Sequence, residues 1–534
     1  MATRRDPRRC RTTSAVRHRR REFSTGGDAH HSHHDAPHGS CQPAHLADAE
    51  TVEKYRQALA AMRALPDSDP RSFASQAAIH QAYCDGHYRY GGGPAAAASK
   101  DADDAPFDVH FSWIFAPWHR MYIYFYERIL GGLIGDAAFA LPYWNWDAPA
   151  GMALPVIFND AGSPLYDAHR DPAHLAAYVN LDILNAGDTI IPFDPQAIQI
   201  NNQIVQNNLS SLHPDFLGDK FCAEYPGTAS SGTSGSLESM AHTSVGGLIP
   251  PSPPCGSAPV HVWAGDPGSS TVGNDGEDHA GADMGFLGTA ARDPVFYSHH
   301  ANVDRLWHLW ATELGHSHFD DPAWLDTSFV FYDEKPRPVR VRVRDVLDPA
   351  ALGYSYDERE PLRWVGARLT PLLPKGAAAA ATRRRLLRAA APAAPAFPLT
   401  LTAGQSVELP SVNRPPRAQK TAGGGTQPDT VLVFGGIEFE AGRGGKFDVV
   451  INVPPEQAAA AGPRYSEYAG NFATLARGGN RAGETVVVPL VLPLDEVLAD
   501  IGVGDDDGAV NVVIVPRTQG IKIISPPRIE TRER

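Results

Sequence analysis

Apolar side chains in the first part of the chain recur at spacings of three and four residues, which is the period of an α-helix with one buried face. The clearest case follows Pro117 and ends near Gly131 and Gly132, residues typical of helix boundaries. The pattern predicts helices over residues 44–65, 74–83, 118–133 and 294–314. We therefore expect a helical domain whose helices are joined by long loops.

The apolar period changes to two after residue 396. Short runs rich in β-branched and aromatic residues, separated by glycine, proline and aspartate, occupy residues 430–434, 446–453, 484–492 and 509–515. They predict an all-β domain, a β-sandwich. Between the two patterns, residues 366–396 contain an alanine run and three consecutive arginines, which indicates a linker.

The chain length agrees with this division, since 534 residues exceed one ordinary domain. We predict an N-terminal segment over residues 1–42, a mainly α domain over 43–365, the linker over 366–396 and an all-β domain over 397–534.

Composition excludes several classes of protein. The chain has no apolar run long enough for a transmembrane helix, so no membrane span is predicted. A formal net charge of -14 argues against nucleic acid as a partner. Five cysteines without a regular spacing predict a fold that does not depend on disulfides.

The N-terminal segment has two unusual parts. Residues 1–22 are rich in arginine, serine and threonine and nearly free of acids, which resembles a short transit peptide. A histidine tract follows at residues 30–38 and is able to bind metal loosely. Its polar, glycine-containing surroundings favour a solvated tail outside any active site.

The remaining histidines of interest form two zones along the sequence. The first contains His80, His110 and His119, and the second contains His242, His261, His299 and His300. Imidazole suits copper, zinc, iron and nickel, and a site of three neutral imidazoles leaves positions open for a small ligand. Two such sites facing each other would be able to bind dioxygen between them. On a helix, the side chain of His299 is expected to point about 100° away from that of His300.

The surroundings of His119 and His300 resemble the two copper signatures of the tyrosinase superfamily, and within it the plant polyphenol oxidases. The first signature is FAPWHR at residues 115–120, and the second is DPVFYSHHANVDRLW at residues 293–307. Further similar motifs, in the order of the family, are LPYWNWD at 141–147, WLDTSF at 324–329, YSY at 354–356 and KFDV at 446–449. The resemblance extends from about residue 43 to about residue 516.

The resemblance implies a type 3 centre of two copper ions in a four-helix bundle. The implied ligands are His80, His110 and His119 for the first copper, and His242, His261 and His300 for the second. A thioether between Cys84 and His110 is also implied and would fix the orientation of one ligand ring.

The implied reaction is the oxidation of catechols to ortho-quinones, with O2 reduced to water. The partners would then be small phenols and O2, in an enzyme that stays latent until the C-terminal domain is displaced. Glu238 matches an acid that orders water near the copper ions, and Thr243 favours diphenols over monophenols. Leu287, beside Phe286, matches a gating position. The family also implies a plastid location, in the thylakoid lumen, while the oligomeric state is left open.

One segment departs from the family pattern. Family members place the first two ligands of the second copper at positions i and i+4, whereas His242 and His261 stand at i and i+19, with eighteen residues between them. Removing residues 246–260 restores the expected spacing, so this segment is interpreted as an insertion. Its five prolines at 250, 251, 253, 254 and 259 rule out a continuous helix.

Three alternatives to a catechol oxidase therefore remain. The insertion would make the chain an inactive or copper-poor relative. A permanently covering β domain would make it a non-enzymatic oxygen binder. A zinc hydrolase is disfavoured, because Glu238 is the only candidate for a catalytic base beside the ligands.

Overall fold

The computed structural model describes residues 39–84, 109–110, 113–181, 183, 188–212, 259–272, 278–366, 369, 371–373, 395–415, 429–440, 445–462, 465–474, 485–504 and 507–532. Within them, no helix is both long and apolar enough to cross a membrane.

Three long helices organise the first part of the chain. The α-helices are α1 (Ala49–Arg63), α2 (Phe73–Cys84), α3 (Phe115–Ile134), α4 (Gln203–Ser211), α5 (Pro259–Ala264), α6 (Val295–Thr312), α7 (Pro322–Asp326), α8 (Pro349–Leu352), α9 (Pro455–Ala458) and α10 (Asp495–Asp500). Helix α3 packs against both α1 and α6. The four helices predicted from apolar periodicity are α1, α2, α3 and α6, with bounds that differ by a few residues.

Local chemistry sets the helix ends. The Asp48 carboxylate accepts a hydrogen bond from the backbone N–H of Thr51 at 2.7 Å and so caps α1. Helix α3 ends at Gly135, whose φ of 70° lies in the left-handed region that glycine adopts without strain. Helix α6 begins beside Asp293, which accepts from the N–H of Val295 at 2.8 Å.

Small two-stranded sheets accompany the helices. Strand β1 (Gly39–Cys41) pairs in parallel with β6 (Tyr354–Tyr356). Strand β2 (Ser270–Val272) pairs with β3 (Asp278–Ala280), and β4 (Ser328–Tyr332) pairs with β5 (Pro338–Arg342), both antiparallel. The first pairing brings the start of the described chain to a segment more than 300 residues later.

Two antiparallel sheets make up the described C-terminal part. Their strands are β7 (Leu399–Thr400), β8 (Val407–Asn413), β9 (Asp429–Glu440), β10 (Gly445–Ile451), β11 (Tyr468–Thr474), β12 (Thr485–Pro493), β13 (Ala509–Pro516), β14 (Lys522–Ile523) and β15 (Arg528–Arg532). The four-stranded sheet has the order β11-β10-β13-β8, and the five-stranded sheet has the order β12-β9-β14-β7 with β15 also on β9. The sheets share one apolar cluster, in which the rings of Phe434 and Phe447 lie 5.7 Å apart.

The start of the predicted linker rests on the four-stranded sheet. The carboxylate of Glu467, which is fully buried, accepts hydrogen bonds from the backbone N–H groups of Leu372 at 2.8 Å and Leu373 at 3.1 Å. The side chains of Leu369 and Leu372 pack against a second apolar cluster on that sheet, which includes Val450. These residues of the linker are therefore bound to the β part of the molecule.

Candidate metal centre

Helices α2 and α3 bring three buried histidines together. His80 comes from α2, His119 from α3, and His110 from the turn that precedes α3. Their ring centroids are 5.3 to 5.7 Å apart, and one nitrogen of each ring lies within 4.8 Å of the others. All three side chains are at most 3% exposed. This is the first histidine group predicted from the sequence.

A second buried group lies beside the first. It contains His261 from α5 and the adjacent pair His299 and His300 from α6, again with ring nitrogens within 4.8 Å of one another. The rings of His119 and His300 are stacked, with centroids 4.0 Å apart and planes inclined by 5°. The two groups therefore face each other across a single pair of imidazoles. His242, Glu238 and Thr243, also predicted for this site, lie outside the described residues.

Backbone carbonyls select the tautomer of two of these histidines. Nδ1 of His119 is 2.8 Å from the carbonyl oxygen of Phe115, and Nδ1 of His261 is 2.9 Å from that of Met284. Because a carbonyl only accepts, each Nδ1 carries the proton and donates it. The lone pair of each ring is then on Nε2, the arrangement that metal-binding histidines adopt.

Burial keeps these rings neutral. It lowers the pKa of His80 and His119 well below the usual value, and neighbouring histidines lower both further. Burial also lowers the pKa of His261 to about 3. A neutral imidazole is the form that binds a metal ion, so these three histidines do not have to lose a proton at physiological pH.

The described residues fit a metal ion at the first group. Nε2 of His80 and Nε2 of His119 are buried and have no hydrogen-bond partner among the described residues. Buried polar atoms are normally satisfied, and a metal ion would satisfy both. The ring centroid of Phe296 lies 4.6 Å from that of His80 and 4.3 Å from that of His300. Phe296 therefore forms an apolar wall beside both groups. Imidazole ligands suit copper, zinc, iron and nickel, so these donors are compatible with copper.

Hydrogen bonds of the Tyr122 hydroxyl join the helices that carry the histidines. The hydroxyl of Tyr122 on α3 donates to the carbonyl oxygen of Gln76 on α2 at 2.6 Å. It also lies 3.0 Å from the hydroxyl of Tyr297 on α6. One buried side chain thus fixes the relative positions of α2, α3 and α6.

A buried ion pair reinforces the same junction. Arg120, next to His119, donates through Nε to Asp304 of α6 and through Nη1 to the carbonyl oxygens of Val346 and Leu347, both at 3.0 Å. The Arg120 guanidinium also lies 4.0 Å from the ring centre of Trp307. The helices that carry His119 and His300 are therefore held together immediately behind the histidines.

Two other predicted residues lie near the first group. Sγ of Cys84 is 3.8 Å from Nδ1 of His80 and 3.7 Å from the carbonyl oxygen of Leu287. The Leu287 side chain is buried. The thioether between Cys84 and His110 and the gating role of Leu287 stay predictions.

His299 precedes His300 on α6, and the sequence predicts that the two side chains point in different directions. Its ring is 5.1 Å from that of His261 and 5.0 Å from that of His300. Nδ1 of His299 accepts a hydrogen bond from the indole Nε1–H of Trp146 at 3.0 Å. Trp146 belongs to the LPYWNWD motif at residues 141–147, but nothing in the linear pattern connects it with a residue 153 positions away.

Comparison with known proteins identifies the family. Residues 70–313 match the common central domain of tyrosinase, residues 318–370 match the polyphenol oxidase middle domain, and residues 397–530 match the chloroplastic polyphenol oxidase C-terminal domain. The chain is 38% identical over 492 residues to (+)-larreatricin hydroxylase of Larrea tridentata, covering 89% of this chain and 74% of that protein. It belongs to the plant polyphenol oxidase family of type 3 copper proteins.

Solved structures of polyphenol oxidases agree with this assignment. A latent aurone synthase aligns with a TM-score of 0.72 at 34% identity, over 95% of this chain and 92% of that one. Latent apple tyrosinase aligns with a TM-score of 0.69 at 33% identity, over 93% of this chain and 98% of that one. Both were solved in latent form, and both alignments cover nearly the whole of this polyphenol oxidase.

Proposed function

We propose that the protein oxidises catechol-type phenols to ortho-quinones, two catechols being converted for each O2 that is reduced to two molecules of water. The observation that carries this proposal is the pair of buried histidine groups facing each other across the 4.0 Å stack of His119 and His300. His80, His110 and His119 would hold one copper ion, and His242, His261 and His300 the other. Bound copper supplies the redox chemistry that transfers electrons from phenol to O2.

The protein residues supply position and environment. The carbonyls of Phe115 and Met284 orient the rings of His119 and His261, and burial keeps these two rings neutral. Phe296 gives the site an apolar wall that favours an aromatic ring. Among residues outside the groups themselves, Leu287 would gate access, Glu238 would order a water molecule, and Thr243 would favour diphenols.

We further propose a four-helix bundle over residues 43–365 and a β-sandwich over 397–534, joined by the linker at 366–396. In this arrangement the β-sandwich shields the copper centre and keeps the enzyme latent. The shared apolar cluster of the two sheets supports the sandwich. Similarity over nearly the full chain to two enzymes solved in latent form supports the shield.

The named relatives widen the range of phenols that are candidate substrates. They include (+)-larreatricin hydroxylase and the aureusidin synthase of Antirrhinum majus, the latter 36% identical over 496 residues. Simple catechols remain the proposed substrates because Thr243 favours diphenols. Several relatives are named chloroplastic, which supports a plastid location, and we propose the thylakoid lumen.

Copper analysis combined with oxygen uptake tests this function. The purified chain should contain two copper ions and consume O2 with 4-methylcatechol, with colour development, after a low concentration of detergent displaces the β domain. A His119→Ala variant is the control and should lose one of the two copper ions together with oxygen uptake.

The other outcomes separate the alternatives. Two copper ions without quinone formation, with or without detergent, would indicate an oxygen binder. Fewer than two copper ions would indicate that the segment at residues 246–260 has disabled the second site.

A further inference from the structure

The position of His299 raises the question of whether it acts as a metal ligand. One of its ring nitrogens lies within 4.8 Å of nitrogens of His261 and His300, so distance alone would admit it to the second group. Its hydrogen bond with Trp146 argues against a role as a metal ligand.

The indole N–H of Trp146 can only donate. Since Nδ1 of His299 lies 3.0 Å from it, that nitrogen must accept and carries no proton. The proton of the neutral ring is then on Nε2, which has no lone pair to offer a metal. This tautomer is opposite to that of His119 and His261, whose Nδ1 atoms donate to carbonyls.

The remaining N–H group of His299 is buried and has no partner among the described residues. A buried donor without an acceptor is costly, and it is normally satisfied by a ligand, water or another residue. The ring centroids of His261 and His300 lie about 5 Å from that of His299, so the ring that carries this N–H group is beside the second group.

We propose that His299 is a hydrogen-bond donor to an anion bound at the metal centre, held in the required tautomer by Trp146. The anion in the reaction is the deprotonated oxygen of the phenol. A donor of this kind stabilises negative charge on that oxygen and orients the ring during oxidation. The inference rests on the proposed copper function, because the anion needs the metal to bind.

Azide, an anion that binds open metal positions, is the probe. Its dissociation constant would be measured by absorbance titration of copper-loaded wild type and variants, together with copper content and thermal stability. His299→Leu should keep the copper content of wild type and bind azide about tenfold or more weakly. His299→Gln retains an N–H donor and should recover part of the affinity.

Trp146→Phe provides a second route that leaves the imidazole in place. Without the indole donor, His299 can move its proton to Nδ1, so azide binding should weaken severalfold while copper is retained. His316→Gln removes a histidine that stacks on Trp310 outside the centre and is the matched control, with unchanged azide binding expected.

Two results would overturn this inference and leave the proposed function intact. Loss of copper in His299→Leu, with wild-type loading intact, would make His299 a ligand. Wild-type azide affinity in both His299→Leu and Trp146→Phe would remove its role as a donor. A wild-type chain that binds no copper would overturn the proposed function, and this inference with it.

Discussion

Replacing Asp304 with asparagine tests whether the ion pair behind the histidines holds the centre together. The Asp304 side chain is 1% exposed, and its carboxylate accepts from Arg120, from the hydroxyl of Tyr354 at 2.7 Å and from that of Tyr356 at 2.5 Å. Asp304→Asn keeps the shape of the side chain but removes its charge. The buried guanidinium of Arg120 then loses its counter-ion.

The expected loss is large because the pair is buried. Removing one partner of a buried ion pair costs about 3–5 kcal/mol, since the remaining charge stays desolvated. For a domain of a few hundred residues, each kcal/mol lowers the melting temperature by about 2–4 °C. The melting temperature should therefore fall by roughly 6–20 °C. Copper retention should fall with it, because Arg120 adjoins His119.

Differential scanning calorimetry and copper analysis measure these effects. Asp326→Asn is the matched control, since Asp326 pairs with Arg344 at 2.7 Å on the surface, where its side chain is 56% exposed. An exposed pair contributes only about 0–1 kcal/mol. The double variant Arg120→Met with Asp304→Asn should regain part of the loss because no unpaired charge remains. Equal melting temperatures for Asp304→Asn and Asp326→Asn would refute the reasoning.

Three further predictions concern the ligands, the inserted segment and pH. His80→Ala should lower copper to about one ion per chain and reduce oxygen uptake by about a thousandfold or more, as measured by metal analysis and an oxygen electrode; full copper content would exclude His80 as a ligand. Deleting residues 246–260 should raise copper content towards two ions if it is lower in the parent chain, and deletion of the alanine run at 376–381 is the control. Burial raises the pKa of Glu127 from 4.5 to about 7, so the folded state retains a proton that the unfolded chain releases. This contribution to the free energy of unfolding is present below pH 4.5 and is lost as the pH rises through 7. Glutamine does not ionise, so the free energy of unfolding of Glu127→Gln should rise relative to that of wild type by up to about 3 kcal/mol between pH 5 and pH 8. Urea unfolding measures this difference. A difference that stays constant with pH would contradict this assignment.

Periodic burial made much of the fold predictable. Helix α6 was expected over residues 294–314 and spans Val295–Thr312, because Pro294 and Gly315 mark its ends. The strands expected at residues 446–453 and 509–515 became β10 and β13 for a similar reason, since alternating or continuous apolar runs have few other ways to be buried.

The site was less completely predictable. His80 and His119 could be assigned because their neighbouring motifs resemble a known family. The position of His299 could not be assigned, since helical geometry gives only a direction and its ring is fixed by Trp146, on a distant loop. The linker shows the same limit: its composition indicated a connection, whereas the buried carboxylate of Glu467 binds its first residues.

That contact makes residues 369 and 371–373 a peptide ligand of the β domain. Any cut made after residue 373 leaves this peptide on the catalytic part, still bound to Glu467. Before the cut, the two parts belong to one chain, so their association does not depend on the concentration of the protein. After the cut, their association depends on the concentration of the protein itself. Under the proposed latency, cleaved enzyme would become active on dilution rather than at the moment of cleavage.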